Sequence, residues 1–164
     1  MTHVGIVTGL AAEARIIEKS RARDERPRLA VAGVGAGRAR EAAERLIAEG
    51  AELLVSFGLC GGLDPALRPG DLVLAEEIVF GDDRRLRTDA ARREALRRRA
   101  AQAGLRLTGG ALYGSARAIA KADEKRALFE TSGARAVDME SPGVALAAEA
   151  AGVSFLAVRA LADP

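Results

Sequence analysis

Apolar positions in this chain alternate between two rhythms. Short β-rich runs fall at His3–Thr8, Arg28–Ala32, Leu53–Phe57, Asp71–Phe80, Leu105–Tyr113, Arg135–Val137 and Val153–Leu161. Between them, apolar residues at helical spacing mark Leu10–Ser20, Ala36–Glu49, an arginine-rich stretch within 84–99, Lys121–Glu130 and Ser141–Ala151. Strands alternating with helices predict βαβ units, hence an α/β fold with a mixed, largely parallel central sheet and helices on both faces. No repeat, linker or composition shift divides residues 1–164, so one domain is expected. The polar segment Ser20–Arg28 is the candidate mobile loop.

Composition narrows the packing. Hydrophobic residues make up 49% of the chain and aromatics only 3%, so Ala, Val and Leu must fill the core. The net charge is +2, with the basic excess concentrated between Arg84 and Arg99. Ala91, Ala95, Leu96, Ala100 and Ala103 form an apolar stripe there, which predicts a surface helix with a solvated arginine face. No aromatic residues interleave for base stacking, so a nucleic-acid partner is not expected. One cysteine, Cys60, and one histidine, His3, are too few for a zinc site or an intrachain disulfide. No metal is expected. No run is long enough to span a bilayer and no signal peptide is evident, so a cytoplasmic protein is expected.

Glycines and carboxylates gather after the strands. Thr8-Gly9-Leu10-Ala11-Ala12-Glu13 follows the first, Gly33-Val34-Gly35-Ala36-Gly37 the second, and Gly58-Leu59-Cys60-Gly61-Gly62 the third. Asp138-Met139-Glu140 follows the sixth and Asp163 the last. In a parallel sheet these points share one rim, where open α/β sheets bind ligands. Gly33 to Gly37 reads equally well as a tight strand-to-helix turn. Its third glycine would have to be residue 38, which is Arg38, so a dinucleotide site is disfavoured. No glycine run ends in Gly-Lys-Ser/Thr, so there is no P-loop. Ser141 and Pro142 suit the N-cap and first position of the next helix. Glu140 would then lie in the positive end of that helix dipole, stay ionised, and be able to accept two hydroxyl hydrogens from a vicinal diol. From spacing alone, a plain capping carboxylate is the first reading of Glu140.

Val137-Asp138-Met139-Glu140-Ser141, together with Val158-Arg159-Ala160-Leu161-Ala162-Asp163, resembles the nucleoside phosphorylase superfamily. The stretch Phe57 to Leu63 and Pro69-Gly70-Asp71-Leu72-Val73 are similar as well. The branch is that of 5'-methylthioadenosine/S-adenosylhomocysteine nucleosidases. Gly-Leu-Ala-Ala-Glu-Ala-Arg from Gly9 and Gly-Leu-Asp-Pro-Ala-Leu-Arg-Pro-Gly-Asp from Gly62 look most like the hopanoid-associated phosphorylases.

The resemblance implies cleavage of the bond between a purine and ribose, with water or phosphate as co-substrate and no cofactor. It gives Asp163 the acid that supports protonation of the purine at N7. Glu140 matches the acceptor for the ribose diol, and Met139 packs on the sugar. Glu13 matches the carboxylate that orients or deprotonates water. Val34 and Ile119 lie near the 5' side and the base, Gly61 lies near the base, and Gly9 belongs to the substrate-binding set.

Leu59 and Ala118 depart from the usual serine and aromatic base-stacker, which implies weaker stacking or a wider pocket. Glu13 stands where phosphorylases commonly have an arginine, which favours hydrolysis; Arg15 or Arg38 remains a possible anion holder. The family normally continues past the terminal acid, so a C-terminally truncated fold is expected, with Asp163 uncovered near the Pro164 carboxylate. A homodimer and a 5'-substituted adenosine substrate, adenosylhopane at a membrane surface included, also follow from the resemblance. The alternative is an inactive, nucleoside-binding relative.

Overall fold

The computed structural model describes residues 2–20 and 27–163. Most of the proposed loop 20–28, and Pro164 with its carboxylate, therefore lie outside the described residues. The chain opens with β1 (Val4–Thr8), α1 (Ala11–Ser20), β2 (Arg28–Val31), α2 (Ala36–Ala48) and β3 (Leu53–Gly62). It continues through β4 (Leu72–Leu74), β5 (Glu77–Val79), β6 (Arg85–Arg87), α3 (Ala90–Gln102), β7 (Leu107–Thr108) and β8 (Ala111–Gly114). It ends with α4 (Ala122–Ser132), β9 (Ala136–Asp138), α5 (Ser141–Ala151) and β10 (Ser154–Asp163).

The sheet is mixed and mostly parallel. β3 lies beside β10 along its length; its other edge pairs with β1 first and with β9 at Gly61 and Gly62. β10 pairs antiparallel with β4, and β5 pairs parallel with β8, which pairs parallel with β9. The predicted run Asp71–Phe80 is thus two strands. One edge meets the same stretch throughout, β7 beside β4 and β8 beside β5, with Glu76 N–H bonding Gly110 O at 2.8 Å. The other edge changes partner from β10, last bonded where Ala75 N–H meets Ala157 O at 3.0 Å, to β6. Flanked in this way, β4/β5 closes a ring with β10, β3, β9 and β8, a distorted barrel.

The predicted strand Leu105–Tyr113 is likewise two, broken at Gly109-Gly110. Gly110 has φ +117, and a Cβ on it would lie 2.6 Å from Arg135 Cδ. The arginine segment also splits. Arg85–Arg87 pairs with β5 as a hairpin strand, and only Ala100 of the predicted apolar stripe is fully buried in α3.

Two cores cover the two faces. α2 and α5 pack over Val7, Leu54, Ile78, Leu112 and Ala157. α4 lays Leu128 and Phe129 over Leu63, Val79, Ala111, Ala134 and Val137. α5 buries seven of its residues, including Val144, Ala145, Ala147 and Ala148, as its all-round apolar pattern requires. Gly143 sits where α5 meets α2; a Cβ there would run into the Ala36 carbonyl, so no larger residue permits this crossing. The close crossing matters for the site, because it sets the start of α2 beside the start of α5.

Candidate active site

The strand ends converge on one cavity of about 280 Å³. Its lining includes all eight residues singled out from the sequence: Gly9, Glu13, Val34, Gly61, Ile119, Met139, Glu140 and Asp163. Arg15 and Arg38 do not line it; Arg117 is its sole arginine among the described residues. That guanidinium is already held by Glu124 at 3.0 Å.

Glu13 is buried in the first turn of α1, where its position matches the far end of a capping box. Its Oε2 accepts from the Gly9 and Leu10 N–H groups at 3.0 and 2.8 Å, and its Oε1 accepts from Leu59 N–H at 2.9 Å. One carboxylate thereby ties the β1–α1 junction to β3. Two carboxylate oxygens offer about four acceptor sites. Three are used, which leaves one for a water in the cavity. Gly58 lies directly against this group: a Cβ there would be 2.5 Å from both Glu13 Oε1 and Arg159 Nη1.

Glu140 differs from its expected setting. It is itself the N-cap of α5, so Ser141 and Pro142 fall one position later than predicted. The Asp138 carboxylate does the capping instead, its Oδ2 accepting from Ser141 N–H at 3.1 Å. Glu140 Oε1 accepts from Gly35 N–H at 3.0 Å, the contact that the α2–α5 crossing makes possible. Burial pushes the Glu140 carboxyl above its ordinary value. The Gly35 bond and Arg159 oppose this, while Asp138 and Glu13 add to it. The helix dipole alone predicted the opposite direction; removal from water outweighs it. Gly9 flanks this carboxylate closely, since a Cβ there would lie 3.1 Å from Glu140 Cδ.

Asp163 lies within β10, at its end, rather than beyond it. Its side chain is 67% exposed, and its Oδ2 accepts from Lys125 Nζ at 2.8 Å. Leu10, Val34 and Leu59 are each nearly half exposed and form an apolar mouth. Cys60 also lines the cavity, but burial pushes its thiol up to about 12, with Arg159 lowering it and Asp138 raising it. At neutral pH it is a packed thiol and no nucleophile.

Beneath the cavity lies a polar cluster that the pattern reading did not assemble. Arg159 and Asp138 side chains are each 1% exposed and pair at 2.5 Å. Arg159 Nη2 also donates to Ser56 and Ser141 hydroxyls at 2.5 and 3.0 Å, and Ser141 Oγ donates to Asp138 Oδ2 at 2.5 Å. The available signal was an arginine inside the otherwise apolar run 153–161, which needs a buried partner.

Residues 12–164 match the Phosphorylase superfamily. The chain belongs to that superfamily. Among curated proteins none matches it. Its fold is that of the Helicobacter pylori 5'-methylthioadenosine/S-adenosylhomocysteine nucleosidase bound to butyl-thio-DADMe-Immucillin-A: TM-score 0.92, 18% identity, covering 99% of this chain and 85% of that one. The Neisseria meningitidis nucleosidase in complex with methylthio-immucillin-A is similar too, with TM-score 0.89 and 22% identity, covering 99% and 86%. So is the futalosine hydrolase of Helicobacter pylori, with TM-score 0.89 and 18% identity, covering 99% and 88%. At these identities the likeness establishes this superfamily member's fold.

Proposed function

We propose that the chain cleaves the N-ribosyl bond of a purine nucleoside carrying a 5' substituent, releasing adenine, and that water is the acceptor. The observation that carries this is the convergence of Glu13, Glu140 and Asp163 on one cavity beside Met139. Asp163 supplies a proton to N7 so that adenine leaves neutral. Glu140 accepts the ribose hydroxyls through Oε2, which has no hydrogen-bond partner among the described residues. Met139 packs on the sugar. Glu13 takes the proton of the attacking water at its free acceptor site, and the carboxylates stabilise the oxocarbenium-like ribosyl group. Phosphate would meet the Glu13 and Glu140 carboxylates on the lining, which supports hydrolysis. The apolar mouth at Leu10, Val34 and Leu59 supports an apolar 5' group, the hopanoid-linked nucleoside being one candidate. A second reading, nucleoside binding without turnover, is favoured by the exposure of Asp163.

Adenine release from 5'-deoxyadenosine, methylthioadenosine and a lipid-linked analogue, with and without phosphate, decides among these. Release independent of phosphate is the expected result. A phosphate requirement overturns hydrolysis, and binding of adenine without release overturns catalysis.

Glu140→Gln separates function from stability. Losing a charged acceptor for two hydroxyls should lower kcat/KM by about 10²–10⁴-fold, at roughly 1.5–3 kcal/mol per bond. The same change should raise Tm at pH 7. The folded-state carboxyl sits above its ordinary value of 4.5, so the native state holds that proton more tightly than the unfolded chain. Stability from this group is greatest below the unfolded value and falls as pH rises towards the folded one. The amide removes that loss, so the Tm advantage should vanish in melts near pH 4. A lower Tm at pH 7 would contradict the burial argument.

A further inference from the structure

Lys125 is the charged residue of α4 that faces inward. With Ser132 it is one of the two residues the helix fully buries, in a position where an apolar side chain would pack at lower cost. Its Nζ grips Asp163 twice, donating to Oδ2 at 2.8 Å and to the main-chain carbonyl at 3.3 Å. The two ends of the pair differ in setting: the lysine side chain is 8% exposed and the aspartate 67%. A buried ammonium thus holds, from behind, a carboxylate whose other side is open to the cavity.

We propose that Lys125 is a positioning residue for Asp163, fixing its carboxyl for proton donation and stabilising the charge it acquires. This rests on the proposed role of Asp163 as the acid. In the step concerned, the electron pair of the C1'–N9 bond passes to the purine and the Asp163 proton passes to N7. Water bonds C1' and its proton passes to Glu13. Negative charge therefore appears on Asp163 as the bond breaks, 2.8 Å from an ammonium that needs no reorganisation to meet it. The carboxyl, largely open to water, regains its proton from solvent. The other titratable groups around the cavity are Glu13, Cys60, Arg117 with Glu124, Asp138 and Glu140, and none of these is changed in the test.

Lys125→Met keeps the buried stem and removes the charge, Lys125→Gln serves as the alternative neutral variant, and Lys125→Arg restores a cation. The readout is kcat and KM for adenine release, with a thermal melt to select a folded neutral variant. The neutral variant should lose about 10–10²-fold in kcat, within the range for removing one charge-stabilising donor. KM should change far less, because the ammonium acts on the reaction only through Asp163. Lys125→Arg should recover most of the rate. A neutral variant with unchanged kcat overturns the role. Equal losses in the neutral and arginine variants, or a loss that falls on KM instead of kcat, also overturn it, since either pattern marks packing alone. Wild-type protein that releases no adenine would instead sink the proposed function itself.

Discussion

Asp163→Asn should lower kcat for adenine release by about 10²–10⁴-fold, the usual worth of a general acid, and leave the fold intact. The chemistry sets the size: adenine expelled as an anion is a poor leaving group. Arg117 is the cation on the lining among the described residues, but it is engaged with Glu124 and does not give up a proton at neutral pH. The structural cost is small for a different reason. The replaced carboxyl is mostly in solvent, and an amide oxygen can still accept from Lys125, whose second bond goes to the main chain. KM should therefore change far less than kcat. Single-turnover rates with melts of both proteins test this; a variant within tenfold of wild type would remove Asp163 from the acid's place and favour nucleoside binding as the function.

Local chemistry made some parts of this molecule legible and hid others. The bounds of α5 were readable because Pro142 suits a helix start and Gly152 takes the left-handed C-cap, with φ 65. The glycines Gly58 to Gly62 mislead: the pattern places them after the third strand, yet β3 runs through them to Gly62. Glycine there answers crowding, not a turn, because Glu13 and Arg159 leave Gly58 no room for a Cβ. The split of residues 71–80 into β4 and β5 was also unreadable, since it depends on where β10, far away in sequence, stops pairing. All eight candidate residues meet at one cavity because a mostly parallel sheet brings strand ends to a common rim. Lys125 was hidden for the opposite reason. It lies among polar neighbours on a helix, and only the pairing with a residue 38 positions later marks it as buried.

Arg159→Met should destabilise the protein by about 3–5 kcal/mol, the cost of stranding one member of a buried ion pair. That is a large share of the roughly 5–15 kcal/mol typical of a whole domain, and it should lower Tm by about 10 °C or more. The loss comes from what remains. Without the guanidinium, Asp138 is a carboxylate shut away from water, with Ser141 as its hydrogen-bond donor. The pair is already imperfect, because Asp138 Oδ1 and Arg159 Nε have no hydrogen-bond partner among the described residues. Removing both charges should therefore cost much less than removing one. In Asp138→Asn/Arg159→Met the amide oxygen can still accept from Ser141 N–H and cap α5, while methionine fills the arginine's volume. Denaturant unfolding of the single and double variants measures the difference, and equal losses in the two would refute a stranded charge as the cause. Activity should follow stability only in part. Asp138 holds the first turn of α5, and that turn carries Glu140, so the double variant tests whether the buried charges serve the ribose-binding carboxylate beyond keeping the protein folded. A double variant that is stable yet slow, with KM raised more than kcat is lowered, would assign the Asp138–Arg159 pair to the placement of Glu140.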